Sequence, residues 1–104
     1  MNGLKMIEEA RVRQIRKGFT AEHDDLHETS DQLAVAAGVY AMPMYLRANH
    51  EIIGWWPWED YPPPSIDPAT VGDVDQRIDE LAKAGALCAA EIDRLLRKQG
   101  IPVG

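Results

Sequence analysis

The sequence predicts an all-α fold, a compact three- to four-helix bundle interrupted by one long aromatic and proline-rich loop. Three observations carry this. Apolar residues recur at three- and four-residue steps in two long segments. Capping and stop signals bracket those segments. A chain of 104 residues can bury one modest core and not two, because small chains bury a smaller fraction of the surface that they expose when unfolded. Residues 1–104 therefore read as a single helical domain, with the loop at about residues 43–68.

Leu4, Ile7, Arg11 and Ile15 follow helical spacing, and the basic run Arg16-Lys17 before Gly18 suits a helix C-terminus with its partial negative charge. The spacing predicts a first helix over about Leu4 to Lys17. In the next stretch Thr20 can cap a short helix whose first turn holds Glu22, Asp24 and Asp25, although Asp and His also populate turns. Thr29-Ser30-Asp31-Gln32 has capping-box spacing, with Thr29 as N-cap, ahead of an apolar helix that ends or kinks near Pro43. Between Pro43 and Pro68 the pattern breaks at Gly54, Trp55-Trp56-Pro57-Trp58, Tyr61 and Pro62-Pro63-Pro64. Val74, Ile78, Leu81, Gly85, Cys88, Ile92 and Leu95 then form a heptad-like stripe, predicting a final helix over about Val71 to Gln99 with this stripe as its core seam. Gly85 on that seam predicts the close approach of another backbone.

The net charge of −6 argues against direct nucleic-acid binding, which needs clustered Lys and Arg to displace counterions. It leaves open a protein partner with a basic surface. With Cys88 as the sole cysteine no internal disulfide can form. Met1 to Lys17 holds no apolar stretch long enough for a signal peptide or membrane span, so a cytoplasmic location and no membrane partner are expected.

The polar cluster Glu22, His23, Asp24, Asp25 and His27 is the first candidate site. On a helix His23 and His27 lie one turn apart, the spacing at which two imidazoles share a metal ion. Glu22 and Asp25, three apart, would instead offer oxygen ligands to Mg²⁺ or Mn²⁺. A solvated helix start whose acids complement the dipole explains the same residues. The second candidate is the tryptophan loop, where Trp56 and Trp58 could stack on a base, or plug one end of the bundle. Tyr40 and Lys83 complete the expected nucleotide-binding set. Lys83, flanked by Ala82, Ala84 and Gly85, could reach a phosphate or the acidic cluster, or carry its charge to solvent. Asp79 with Lys83, and Asp93 with Arg97, are expected as i,i+4 pairs, and Cys88 as inert packing.

Arg13-Gln14-Ile15, Gly18-Phe19-Thr20, Glu22-His23-Asp24-Asp25, His27, Ala36-Ala37, Tyr40, Trp56-Pro57-Trp58, Lys83-Ala84 and Glu91-Ile92-Asp93-Arg94-Leu95 resemble a group of small proteins of tailed phages and prophages. The resemblance covers most of the chain and implies a bacteriophage context, hence the host-cell cytoplasm. A more distant similarity is to the MazG-type all-α nucleoside triphosphate pyrophosphohydrolases, which hold Mg²⁺ with carboxylates three apart on two helices. Glu22 and Asp25 match one such pair; Asp75 and Asp79 are four apart, and Glu91 has Arg94 three positions on.

These readings make the leading expectation a phage protein that binds a nucleotide or nucleotide-like signal and either hydrolyses or sequesters it. The cluster from Glu22 to His27 would take the phosphate or metal side, and Trp56 and Trp58 the base. In hydrolysis the metal would polarise the phosphoryl oxygens while Asp25 or Glu22 activates water. The rival expectation is a non-enzymatic acidic inhibitor of a host defence complex, such as an anti-CRISPR protein. A third is an assembly accessory that forms a homo-oligomer through the final helix.

Overall fold

Four of the α-helices among the described residues start at a side chain that accepts an orphan backbone N–H group. The computed structural model describes residues 1–27 and 31–104 and contains, among these, α1 (Gly3–Arg16), α2 (Ala21–His27), α3 (Gln32–Ala41), α4 (Met44–Arg47), α5 (His50–Ile53) and α6 (Val74–Lys98), with a 3₁₀ turn at Pro68–Thr70. No strand occurs among the described residues. Asn2 accepts from the Lys5 N–H at 3.0 Å to start α1, and Gly18 ends it in the left-handed region at φ 109°. Thr20 Oγ1 accepts from the His23 N–H at 3.2 Å, so its stretch is a helix and not a loop. The Thr29 cap expected for α3 lies outside the described residues; the residue before α3 is Asp31, at φ 60°.

Two expectations about the second half need correction. The stretch after Pro43 is not wholly irregular: α4 and α5 each make one turn, and Asn49 caps α5 by accepting from the Glu51 N–H at 2.8 Å. The final helix begins at Val74 rather than Val71, because Gly72 turns the chain at φ 87° and Asp73 then caps the helix, accepting from the Gln76 N–H at 3.0 Å.

The long helix α6 is the spine on which α1, α2 and α3 pack. Contacts between Arg13 and Asp79, Gln14 and Lys83, and Ile7 and Gly85 show that α1 runs antiparallel to it. Leu33, Ala36 and Ala37 of α3 form one buried cluster with Leu87 and Ala90, against which Tyr40, Trp56 and Trp58 pack. Ala10 of α1 forms another with Ala82 and Ala86, joined by Met6.

The predicted core seam of α6 is therefore its outer face. Val74, Leu81 and Ile92 are 69%, 46% and 57% exposed, and Ile78, Leu95 and Cys88 are exposed too. The inner face is built from Ala82, Ala84, Ala86, Leu87 and Ala90, with Glu80 and Glu91 buried beside them. Small side chains let helix axes approach closely, and each buried acid meets an arginine: Glu80 meets Arg47 and Arg77, and Glu91 meets Arg94. Such a face carries little of the large-apolar signal that periodicity detects. At Gly85 a helix does cross, but what fills the space is a side chain: a Cβ there would lie 2.6 Å from Ile7 Cδ1.

Candidate functional site: an aromatic cleft with a basic rim

The tryptophan loop folds back onto α3 and α6. Trp56 donates its indole N–H to the Tyr61 carbonyl at 2.8 Å, which closes the loop on itself. Its ring then meets Tyr40 of α3 edge-on at 5.6 Å and Trp58 at 5.3 Å. Phe19, buried just after α1, continues the series, with centroids 5.5 Å from Trp58 and 4.9 Å from Tyr61. Edge-to-face and tilted contacts of this kind are the preferred arrangement of aromatic pairs.

These rings line a cleft of about 210 Å³. Its lining includes Tyr40, Trp56, Trp58 and Lys83, so the four residues expected to bind a nucleotide lie in one place. Lys83 stands 5.8 Å from the Tyr40 ring centroid and 2.9 Å from Asp79, the pair expected from their i,i+4 spacing. Arg13 reaches the same Asp79 at 3.9 Å, and Lys17 also lines the cleft. The rim thus presents three cations. Burial raises the Tyr40 hydroxyl above its usual pKa, against the opposing pull of Lys83, so the phenol stays protonated at neutral pH.

Tyr40 is held from behind by a residue that sequence reasoning passed over. Arg47, fully buried, donates to the Ser65 carbonyl at 2.7 Å, the Met42 carbonyl at 3.1 Å and Glu80 Oε2 at 2.7 Å. Arg77 donates to the Tyr40 and Met42 carbonyls, each at 3.1 Å, to the Ala41 carbonyl, and to Glu80 Oε1 at 3.3 Å. The two guanidiniums satisfy the open carbonyls at the C-terminus of α3, with Glu80 between them as counterion. This fixes the end of the helix that carries the Tyr40 ring.

No protein-family model matches the chain, nor does any curated protein or solved structure.

The acidic cluster divides. His23 stacks edge-on against Phe19 at 5.2 Å and, with Phe19, Trp58 and Tyr61, lines a second, larger cavity of about 510 Å³. Phe19, Trp58 and Tyr61 line both cavities and stand between them. The sequence could not show whether the cluster and the tryptophan loop meet; they meet through His23. Asp24 is fully buried and faces inward, 3.3 Å from His23 Nδ1 and 3.5 Å from Arg11 Nη2, while Arg11 Nη1 donates to the Phe19 carbonyl at 3.0 Å.

Asp25 points elsewhere. Both of its oxygens accept from Arg97 of α6, at 2.9 to 3.2 Å. Arg97 therefore crosses to α2 rather than resting on Asp93, the partner expected from i,i+4 spacing. Its hydrogen bonds hold the Asp25 carboxyl below the usual carboxylate range. Glu22 is exposed, and His27 lies in the last turn of α2, its side chain outside the described residues. Among the described residues no three His, Cys, Asp or Glu side chains gather as a metal-binding group. A cation held by Glu22 and Asp25 would have to displace Arg97.

Arg13, Gln14, Lys17 and Phe19 are cleft residues that the sequence reading did not single out as a site. One signal for them exists: Arg13 and the C-cap Lys17 are four apart at the end of α1, and Phe19 follows the left-handed Gly18 that swings it back under the bundle.

Proposed function

We propose that the cleft binds a nucleotide or nucleotide-like signal, with the ring between Tyr40, Trp56 and Trp58 and the phosphates at Arg13, Lys17 and Lys83. The carrying observation is the convergence of aromatic walls and a cationic rim in one cavity of about 210 Å³. That volume is below the ~300–1,000 Å³ typical of sites that enclose a whole drug-sized ligand. It suits a planar ring inside and a charged tail outside. The reading corrects the expected phosphate side, since cations and not the Glu22 to Asp25 acids border the cleft.

Binding without hydrolysis is the form of this reading that the carboxylates favour. Neither Glu22 nor Asp25 is among the residues lining the two cavities, and Asp25 is closed onto Arg97. Titration with mono- and triphosphate nucleotides, with and without Mg²⁺, should give a saturable change in tryptophan fluorescence. Trp58→Ala should weaken binding by about 10- to 100-fold, since base stacking on an aromatic contributes ~1–3 kcal/mol; Trp56 remains to report it. The absence of a saturable response to any nucleotide would exclude this function.

The outer face of α6 favours a second reading, association with another copy of the chain. Ile78 and Ile92 occupy one heptad position, with Ile7 of α1 covering Gly85 between them, and Val74, Leu81, Cys88 and Leu95 occupy the other. A strict 3.5-residue period is what a helix needs to meet a like helix along its length. Sedimentation equilibrium should then show a dimer, and Leu81→Asp should shift it to monomer without loss of helicity. A monomer at all concentrations rules the pairing out.

A further inference from the structure

The geometry points to a second binding site, for a small organic ammonium ion, in the cavity of about 510 Å³ that Phe19, Trp58 and Tyr61 separate from the nucleotide cleft. One bend of the chain supplies most of it. Trp58, Glu59, Asp60 and Tyr61 are consecutive, and the hydrogen bond from the Trp56 indole to the Tyr61 carbonyl closes the bend. Two rings and two acids therefore border the same cavity. The Trp58 and Tyr61 rings stand at 77° with centroids 6.3 Å apart, and Phe19 meets both at 49°. Rings set at such angles form a corner. Trp58 is half-buried and Tyr61 is exposed, so both are open to a ligand, while the buried Phe19 backs them.

The electrostatics select the sign of the occupant. Glu59 and Asp60 are exposed, and neither side chain makes an ion pair or hydrogen bond among the described residues. Two uncompensated carboxylates at the border make the potential there negative whichever way each side chain turns. No Lys or Arg is among the described residues that line this cavity, whereas Arg13, Lys17 and Lys83 line the cleft beside it. One aromatic wall thus divides a space suited to anions from a space suited to cations. Ring faces carry negative charge density and hold a cation within ~6 Å of the centroid, tryptophan best of all. A metal ion fits less well: among the described residues no three His, Cys, Asp or Glu side chains gather, and ring faces do not replace the oxygen ligands that hard cations take. Quaternary ammonium groups are the ligands that aromatic enclosures recognise. The volume falls within the ~300–1,000 Å³ of small-molecule sites, which leaves room for a whole molecule such as choline and not the ammonium head alone.

Calorimetric titration of the intact chain with choline, and with the neutral alcohol in which a tert-butyl group replaces the trimethylammonium, separates charge from bulk. Choline should saturate and bind about 10-fold or more tighter than the alcohol. In the double variant Glu59→Gln, Asp60→Asn, which keeps both rings, choline should bind about 5-fold or more weakly than in the parent, and its affinity should depend less on salt. Thermal melting confirms that the variant folds. Equal affinities for choline and the alcohol overturn the proposal, as does an unchanged choline affinity in the folded double variant. No saturation by choline in the millimolar range overturns it too. Should the double variant not fold, the comparison of choline with the alcohol in the unaltered protein still decides the matter. The nucleotide reading stands or falls on its own titration, since Glu59 and Asp60 are not among the residues lining that cleft.

Discussion

Replacing Arg47 with methionine should lower the thermal midpoint by about 15–30 °C. Removing one partner of a buried ion pair costs ~3–5 kcal/mol, because the other charge stays buried without compensation. For a domain of about 100 residues each kcal/mol moves the midpoint by ~4–8 °C. Here the loss strips Glu80 of its 2.7 Å partner and leaves the Ser65 carbonyl without the two guanidinium donors that reach it. Arg47→Lys should rescue little, since a single ammonium cannot reach Ser65, Met42 and Glu80 with the planar fork that guanidinium offers. The double variant Arg47→Met, Glu80→Met should recover part of the loss by removing a buried acid that the single variant leaves with Arg77 alone, at 3.3 Å. Circular dichroism melts of the three variants measure this. A midpoint for Arg47→Met within a few degrees of the parent would show that the network carries no such weight.

Asp24→Ala should cost about 2–3 kcal/mol in urea denaturation, the scale of hydrogen bonds to charged groups, and the loss should be the same in chelator. Asp24 is fully buried beside Arg11, and Arg11 holds the Phe19 carbonyl. Its removal leaves a half-buried guanidinium without a counterion and loosens the ring that stands between the two cavities. Glu22→Ala, two residues earlier on the exposed side of the helix, should stay within ~0.5 kcal/mol. The pair of variants separates a structural acid from a ligand. If Asp24→Ala were as stable as the parent and lost only a metal-dependent property, Asp24 would belong to a metal site after all.

The existence and approximate ends of α1, α3 and α6 were legible because periodicity, Gly18 and Pro43 are local signals that act on the backbone directly. The face that each helix buries was less so. Periodicity finds the large apolar stripe on α6, but the helix packs through its alanines, and alanine is too common and too small to mark a face. Glu80 reads as a surface charge until Arg47 is placed across the bundle, and Glu91, paired with Arg94 one turn on, reads as an ordinary surface pair on its own helix. Arg47 lies in a stretch broken by Pro43 and Gly54, with no period to reveal a turn of helix. Of the candidate site, Tyr40, Trp56, Trp58 and Lys83 line one cleft, because aromatic and cationic side chains stand out in the sequence even where their neighbours in space do not. The basic rim was missed, since Arg13 and Lys17 join the cleft only when α1 lies antiparallel on α6, a relation between residues about 70 positions apart.

The central place of α6 also bears on how the chain is made. α1, α2 and α3 have their chief packing partner in the helix that follows all of them in the sequence. At ~5–20 residues per second, the 82 positions between Arg16 and Lys98 separate the completion of α1 from that of α6 by roughly 4–16 s of translation. For that interval the upstream helices lack their chief packing partner, and the nascent chain carries the faces that α6 later covers bare. Assembly is then a late event that begins with the last long helix, which makes the unfinished polypeptide, more than the folded protein, the species in need of a chaperone.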